Sequence, residues 1–567
     1  MAADPDAFQR LNDSEVAALE QLGVRRSVAA GDYLYREGDR GYDFYVVLAG
    51  AVEIVVNDQG KEKVIARHDA GRFLGELNLL TGQRVFVSAR VAESGEVLVV
   101  PRDALRRLIA TDPSLSDKVL AAFLARRAIL MSGAASAIRV IGSRFSPDST
   151  RVREFLARSR IPHEWLDPDT DSEVERLLEE FGITPQVLPV VIVTGAVLRH
   201  ATPGVLSDYL GLTVGKLAQR FYDLTVVGAG PAGLAAAMYG ASEGLLTLVI
   251  EMVAVGGQAG SSSRIENYLG FPTGISGGDL TQRAAVQAQK FGASVSSPCA
   301  AVSLQEEAGH FLLRLSDSTG VMSRAVIAAT GARYRRLDAE RLEQFESRGV
   351  YYAATELEAR FCAASPVVVA GGGNSAGQAA LFLADAGSAV TIVIRGPDLT
   401  ASMSRYLIDR IEADKRITVR RNTRIVALKG DEFLTGVRIS GPDDEETLPT
   451  TALFSFIGAE PASEWLSGFA ALDDRGFVLT DRSLGREHLN GLWEALGRSP
   501  LPFETSHPGL FAVGDVRSGS TKRVAAAVGE GSAAVRSVHD YLASDRHPCG
   551  GRDCAAEGGE KPDNANH

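Results

Sequence analysis

Two glycine-rich loops carry the chemistry most directly legible in this chain. The first, Gly228-Ala229-Gly230-Pro231-Ala232-Gly233, follows the apolar run Asp223-Leu224-Thr225-Val226-Val227 and opens an alanine-rich helical stretch. The second, Gly371-Gly372-Gly373-Asn374-Ser375-Ala376, follows Pro366-Val367-Val368-Val369-Ala370. Glycines at these spacings permit a tight turn and let backbone N–H groups approach a pyrophosphate at a helix N-terminus. A further apolar strand follows each loop, and the residues that close the two strands differ. Thr247-Leu248-Val249-Ile250 ends at Glu251, an acid suited to accepting hydrogen bonds from an adenosine ribose. Val390-Thr391-Ile392-Val393-Ile394 ends at Arg395, a cation suited to a ribose 2′-phosphate, with Arg405 a second candidate further on. The second loop is therefore expected to prefer NADPH over NADH.

Positioning two such loops takes several domains. The chain has 567 residues, too many for one core. Its net charge of −12 argues against nucleic acid as a partner, which wants a basic face. No apolar run reaches the roughly 18 residues of a membrane span, and the N-terminus reads as no signal peptide. The four cysteines, Cys299, Cys362, Cys549 and Cys554, form no disulfide framework, so a reducing cytoplasm is expected. His547, Cys549 and Cys554 supply too few ligands for zinc, and no metal site is expected.

Residues 1–132 read as a β-rich domain closed by helices. Short strands such as Phe44-Tyr45-Val46-Val47-Leu48 and Val52-Glu53-Ile54-Val55-Val56 are separated by a glycine turn at Gly50, and residues 102–130 turn helical. The segments Gly31-Asp32, Glu37-Gly38-Asp39, Phe44-Tyr45-Val46-Val47-Leu48-Ala49-Gly50 and Gly75-Glu76-Leu77-Asn78-Leu79-Leu80 resemble the cyclic-nucleotide-binding β-roll. The resemblance implies a pocket at Gly75, Glu76 and Leu77, the glutamate taking the ribose 2′-hydroxyl and an arginine nine residues later taking the cyclic phosphate. Nine residues on stands Val85, with Arg84 one position early, so Arg84 is the candidate phosphate ligand with an altered aim.

Residues 137–212 alternate strand and helix in an order that resembles glutaredoxins and thioredoxins. That resemblance places the redox loop, Cys-Pro-Tyr-Cys in the family, at Ser146-Pro147-Asp148-Ser149. Hydroxyls cannot do the work of a thiolate, and Ser146 reads as a helix N-cap.

The remainder resembles low-molecular-weight thioredoxin reductases over about residues 221–546. Besides the two loops, the matching segments are Gly256-Gly257-Gln258, Ile265-Glu266-Asn267-Tyr268-Leu269-Gly270-Phe271-Pro272, Ala329-Thr330-Gly331-Ala332 and Gly509-Leu510-Phe511-Ala512-Val513-Gly514-Asp515. The resemblance implies FAD and NADPH as cofactors. It places Gln258 and Asn267 by the isoalloxazine and Asp515 on the ribitol. Arg523-Val524-Ala525 would open a helix toward flavin N1 and O2. The implied architecture is multidomain α/β: a β-roll, a thioredoxin-like fold and two Rossmann-like domains. An FAD-binding domain at 221–334 and 448–546 would flank an NAD(P)H-binding domain at 335–447, with a disordered tail at 547–567. A homodimer is also implied.

The family's redox motif, Cys-Ala-Thr-Cys, falls at Ala353-Ala354-Thr355-Glu356. The thiol that would stand by flavin C4a has become Glu356, a candidate catalytic carboxyl for proton delivery. Three functions follow. Electrons pass from NADPH through flavin to an acceptor that the sequence does not identify; or the tail pair Cys549/Cys554, or an external thiol protein, restores disulfide reduction; or the flavin is a non-turnover sensor coupled to the β-roll, which takes a cyclic nucleotide or another ligand.

Overall fold

The computed structural model describes residues 5–544 except 40, 59–60, 76–77, 82–83, 133–137, 145, 162, 170–173, 175–177, 179–183, 194–195, 214–219, 263, 266, 347–348, 353, 355–357, 360–361, 363, 443–444 and 490. Glu76, Leu77, Ala353, Glu356, Cys549 and Cys554 therefore lie outside the described residues. Among the described residues, no helix is long and apolar enough to cross a membrane.

The N-terminal unit is an antiparallel six-stranded sheet. Its centre is one strand, Phe44–Asp58, lying between Ser88–Val100 and Lys61–Asp69. The expected turn at Gly50 is instead a bulge within this strand. Gly50 has φ +82°, and a Cβ there would stand 2.5 Å from the Glu93 carbonyl oxygen. Glycine thus bends the strand without ending it, and the pairing register shifts on either side. The helical stretch divides into Arg102–Thr111 and Pro113–Ser132. Pro113 holds Asp112 extended, and the Asp112 carboxylate accepts the Leu115 N–H at 3.0 Å to cap the second helix.

The second unit has a four-stranded sheet in the order Ala196–Leu198, Val190–Val193, Arg139–Ile141, Glu164–Leu166. The last pair is parallel and the others antiparallel. Helix Pro147–Arg158 buries Val152, Phe155 and Leu156 against this sheet, and Ser146 caps it by accepting the Ser149 N–H. The alternation of strand and helix calls for a second helix at 173–181, a stretch that falls largely outside the described residues.

The third unit centres on a seven-stranded sheet in which Phe221–Val227, Thr247–Ile250, Ser294–Ser296, Gly320–Ala328 and Leu510–Ala512 run parallel. Helices Pro231–Ser242 and Val524–Ser544 share one core cluster on this sheet. A five-stranded parallel sheet forms the inserted unit, with Pro366–Ala370 at its centre. Strand Ala452–Ser455, expected in the returning half at 448–546, pairs with Pro366–Ala370 and belongs to this inserted sheet. The crossing back comes later, at the two-stranded pairing of Ala332–Tyr334 with Ala459–Pro461.

Candidate functional site

The first glycine loop sits where strand Phe221–Val227 meets helix Pro231–Ser242, and its three glycines do different work. Gly228 has φ +110°, and a Cβ there would lie 2.3 Å from the Ala329 carbonyl oxygen. At Gly233 a Cβ would lie 1.8 Å from the Gly228 carbonyl oxygen. These two let helix, strand and turn approach one another. Gly230 is different: its φ of −74° suits any residue, and a Cβ would meet only the Gly257 Cα, at 3.9 Å. Gly230 is also the N-cap, with no side chain satisfying the first N–H groups, and Pro231 opens the helix. Open space beside uncapped N–H donors is the cradle a diphosphate needs.

Backbone and carboxylates brace the surroundings of this cradle. Glu251 is buried, and its carboxylate accepts the Ala229 N–H at 2.8 Å and the Val253 N–H at 3.0 Å. The acid therefore shapes the glycine loop itself, besides any ribose contact. Gly256 donates its N–H to the Ala229 carbonyl at 2.8 Å, which lays Gly257 against Gly230. The Gln258 amide donates to the Ala332 carbonyl. Thr330 donates its hydroxyl to the Ala462 carbonyl at 2.6 Å, and the Gly331 carbonyl accepts the Ala462 N–H at 3.0 Å. Asn267 is exposed in the turn closed by the Ile265–Ile275 bridge.

Helix Val524–Ser544 converges on the same cradle, for a Cβ at Gly531 would lie 2.1 Å from the Ala232 carbonyl oxygen. Arg523 and Ala525 are exposed at its opening, with Val524 half-buried between them. Burial pushes the Asp515 carboxyl up, opposed by Lys522 and reinforced by Glu530. Glu530 is the residue that sequence reasoning missed. Its carboxylate accepts the Gly514 N–H at 2.7 Å, the Arg517 guanidinium at 2.7 Å and 3.1 Å, and the Ser520 hydroxyl at 2.9 Å. It thereby ties the Gly514-Asp515 turn to the helix. Its one sequence signal is an acid in the first turns of a helix otherwise built there from alanine, valine and glycine.

The second loop repeats the arrangement. Gly371 has φ +132°, and a Cβ there would lie 2.3 Å from the Phe456 carbonyl oxygen. Gly373 is the uncapped N-cap of helix Asn374–Asp385. The Asn374 side chain accepts the Ser404 N–H at 2.7 Å, and the Ser402 hydroxyl donates to the Gly372 carbonyl at 3.0 Å. Ser375 is exposed, while Ala376 is buried under the helix. Arg395 is exposed beyond the strand end and has no ion pair with any described residue. Arg405 is instead held by Asp409 at 2.8 Å.

These two cradles are matched by a family model for pyridine nucleotide-disulphide oxidoreductases over residues 222–531. The chain belongs to that family. A cyclic nucleotide-binding domain model matches residues 25–112. The thioredoxin reductase of Listeria monocytogenes is 31% identical over 329 residues, 57% of this chain and 95% of the relative. That of Mycolicibacterium smegmatis is 33% identical over 328 residues, covering 58% and 98%. The crystal structure of T. acidophilum thioredoxin reductase superposes with a TM-score of 0.51 at 27% identity, covering 57% of this chain and 99% of that one. This family member is a thioredoxin reductase-like oxidoreductase whose cofactors are FAD and NADPH.

The two described cysteines are buried in separate cores. Cys299 packs in one core of the third unit and Cys362 in the core of the inserted unit. Burial pushes each thiol up to about 11, with Asp317 adding to the first and Glu358 to the second. Neither is poised as a thiolate.

Of the β-roll pocket candidates, Gly75 and Arg84 are described. Gly75 is wedged under Phe123, and its carbonyl accepts from Arg126 at 2.6 Å. Arg84 is engaged both within its own unit and across to the next. Its guanidinium donates to the carbonyls of Gly38 and Tyr209 and stacks 4.5 Å over the Tyr209 ring. Its backbone N–H donates to the Leu210 carbonyl at 2.9 Å, and nearby Phe86 joins the core of the second unit. The candidate phosphate ligand thus joins two domains. Arg84→Ala should speed amide exchange in helix Pro203–Leu210 by about tenfold or more, the scale of a lost charge-assisted contact. Exchange mass spectrometry that finds unchanged protection would show that this contact holds nothing.

Proposed function

We propose that this chain carries electrons from NADPH through flavin to an acceptor outside the protein, with no dithiol beside the flavin. The carrying observation is the cysteine inventory. The segment aligned with the family's Cys-Ala-Thr-Cys reads Ala353-Ala354-Thr355-Glu356, and the two described thiols are buried in separate cores. Bound FAD supplies a two-electron store between hydride donor and acceptor. The chain's residues would hold it: helix Pro231–Ser242 opens uncapped at Gly230, helix Val524–Ser544 packs on that helix through Gly531, and Glu530 clamps the Gly514-Asp515 turn. Glu356, aligned with the family's second cysteine, would hand a proton to the acceptor as that acceptor takes up the flavin's electrons.

The strand order and directions of the second unit support reading it as a thioredoxin-like fold. With serines at 146 and 149 its role is docking, and the β-roll regulates the oxidoreductase through it. A phosphate-bearing ligand of the β-roll would compete with the Tyr209 carbonyl for Arg84.

Anaerobic NADPH should bleach the flavin of a Cys549→Ser/Cys554→Ser variant. Oxygen, a quinone, a ferric complex or a one-electron carrier should then restore the colour, while thioredoxin disulfide should not. Catalytic reduction of thioredoxin disulfide by that variant would reject the reading.

A further inference from the structure

The flavin cradle has a wall contributed from outside the region shared with the family. Helix Pro147–Arg158 of the second unit ends against the Gly256-Gly257-Gln258 turn, where the Arg158 guanidinium donates to the Gly257 carbonyl at 3.3 Å. Gly257 is the residue packed against Gly230: a Cβ built on it would stand 2.9 Å from the Gly230 Cα. Arg158 therefore stands one residue behind the open space at the helix N-terminus. Its side chain keeps 28% exposure, and its one described ion pair is a long 3.5 Å contact with the more exposed Glu154. A partly buried guanidinium with only a distant carboxylate partner keeps donors available for a second anion nearby.

The position of this helix end is fixed from two sides. Arg160 pairs with Asp279 at 2.6 Å and donates to the Gln282 side chain at 2.8 Å, both on helix Gly277–Lys290. The Arg160 carbonyl accepts from Arg127 of the β-roll's last helix at 2.8 Å. Helix Gly277–Lys290 in turn abuts the flavin turn, since a Cβ at Gly277 would lie 1.8 Å from the Ala259 carbonyl oxygen. Three units thus meet where Arg158 reaches the cradle.

We propose that Arg158 is a positioning residue of the flavin site: it fixes the Gly257 carbonyl and adds a positive charge on the diphosphate side, making FAD retention depend on docking of the second unit. The inference rests on the assignment of the first glycine loop to FAD. The family match begins at residue 222, so Arg158 is a contribution particular to this chain's added domain.

The test is FAD affinity of the full-length apoprotein, read by quenching of flavin fluorescence at several salt concentrations. Arg158→Ala should weaken FAD about tenfold, as for one charge-assisted contact, and flatten the salt dependence. Arg158→Lys, which keeps the charge, should retain the wild-type salt dependence. Glu154→Ala should bind FAD as the wild type does. Wild-type affinity in a folded Arg158→Ala protein overturns the proposal, as does equal weakening in the alanine and lysine variants with no change in salt dependence. Failure of the wild-type protein itself to bind FAD would reject the loop assignment, a distinct result that takes the proposal with it.

Discussion

Gly230→Trp is expected to yield a folded protein without flavin. The backbone at 230 already has φ −74° and ψ −177°, so an indole imposes no conformational strain. Its first atom meets only the Gly257 Cα at 3.9 Å, and the ring then fills the space in front of the uncapped N–H groups. Loss of FAD should be essentially complete, with far-ultraviolet circular dichroism unchanged. Gly233→Ala provides the contrast. There the added methyl would stand 1.8 Å from the Gly228 carbonyl oxygen, so the helix must leave the strand and stability should fall. Two glycines of one motif thus separate binding from folding. Normal flavin content in folded Gly230→Trp would remove the first loop from the FAD site.

Nucleotide choice should rest on Arg395. Its guanidinium is exposed past the strand end, unpaired among the described residues, whereas Arg405 is tied to Asp409 at 2.8 Å. A fixed planar fork suits a 2′-phosphate, and such a contact is worth ~1.5–3 kcal/mol. Arg395→Ala should therefore raise KM for NADPH by about tenfold or more and leave KM for NADH nearly unchanged. Arg405→Ala should have a smaller effect. Steady-state rates with both nucleotides check this; equal losses for NADPH and NADH would assign Arg395 another role.

What was legible in the sequence was local, and what was hidden depended on distant partners. The glycine loops could be read because turn, cradle and helix start lie within six consecutive residues. Gly50 misled because a positive φ serves a turn and a bulge equally well. The strand continues because Ser88–Val100 follows the bend, which only pairing reveals. The Arg84 contact with Tyr209 was hidden because the cassette lies in its own segment while Tyr209 lies in another domain. Glu530 was overlooked for a similar reason, since its meaning comes from the Gly514 N–H and Arg517 on the preceding loop. A boundary at 448 falls before strand Ala452–Ser455 because a short buried run fits either parallel core, and only its pairing with Pro366–Ala370 places it in the inserted sheet.

Anaerobic reductive titration of the Cys549→Ser/Cys554→Ser protein tests the central claim most directly. A flavin with a neighbouring disulfide stores two electron pairs, and its thiolate gives a charge-transfer band with the oxidised ring. Neither is expected here, because Ala353 and Glu356 stand at the aligned positions and the described thiols are buried and protonated at neutral pH. The flavin should be fully reduced by a single electron pair per subunit, with no long-wavelength band at any stage. Uptake of two pairs by the tail variant would contradict the account.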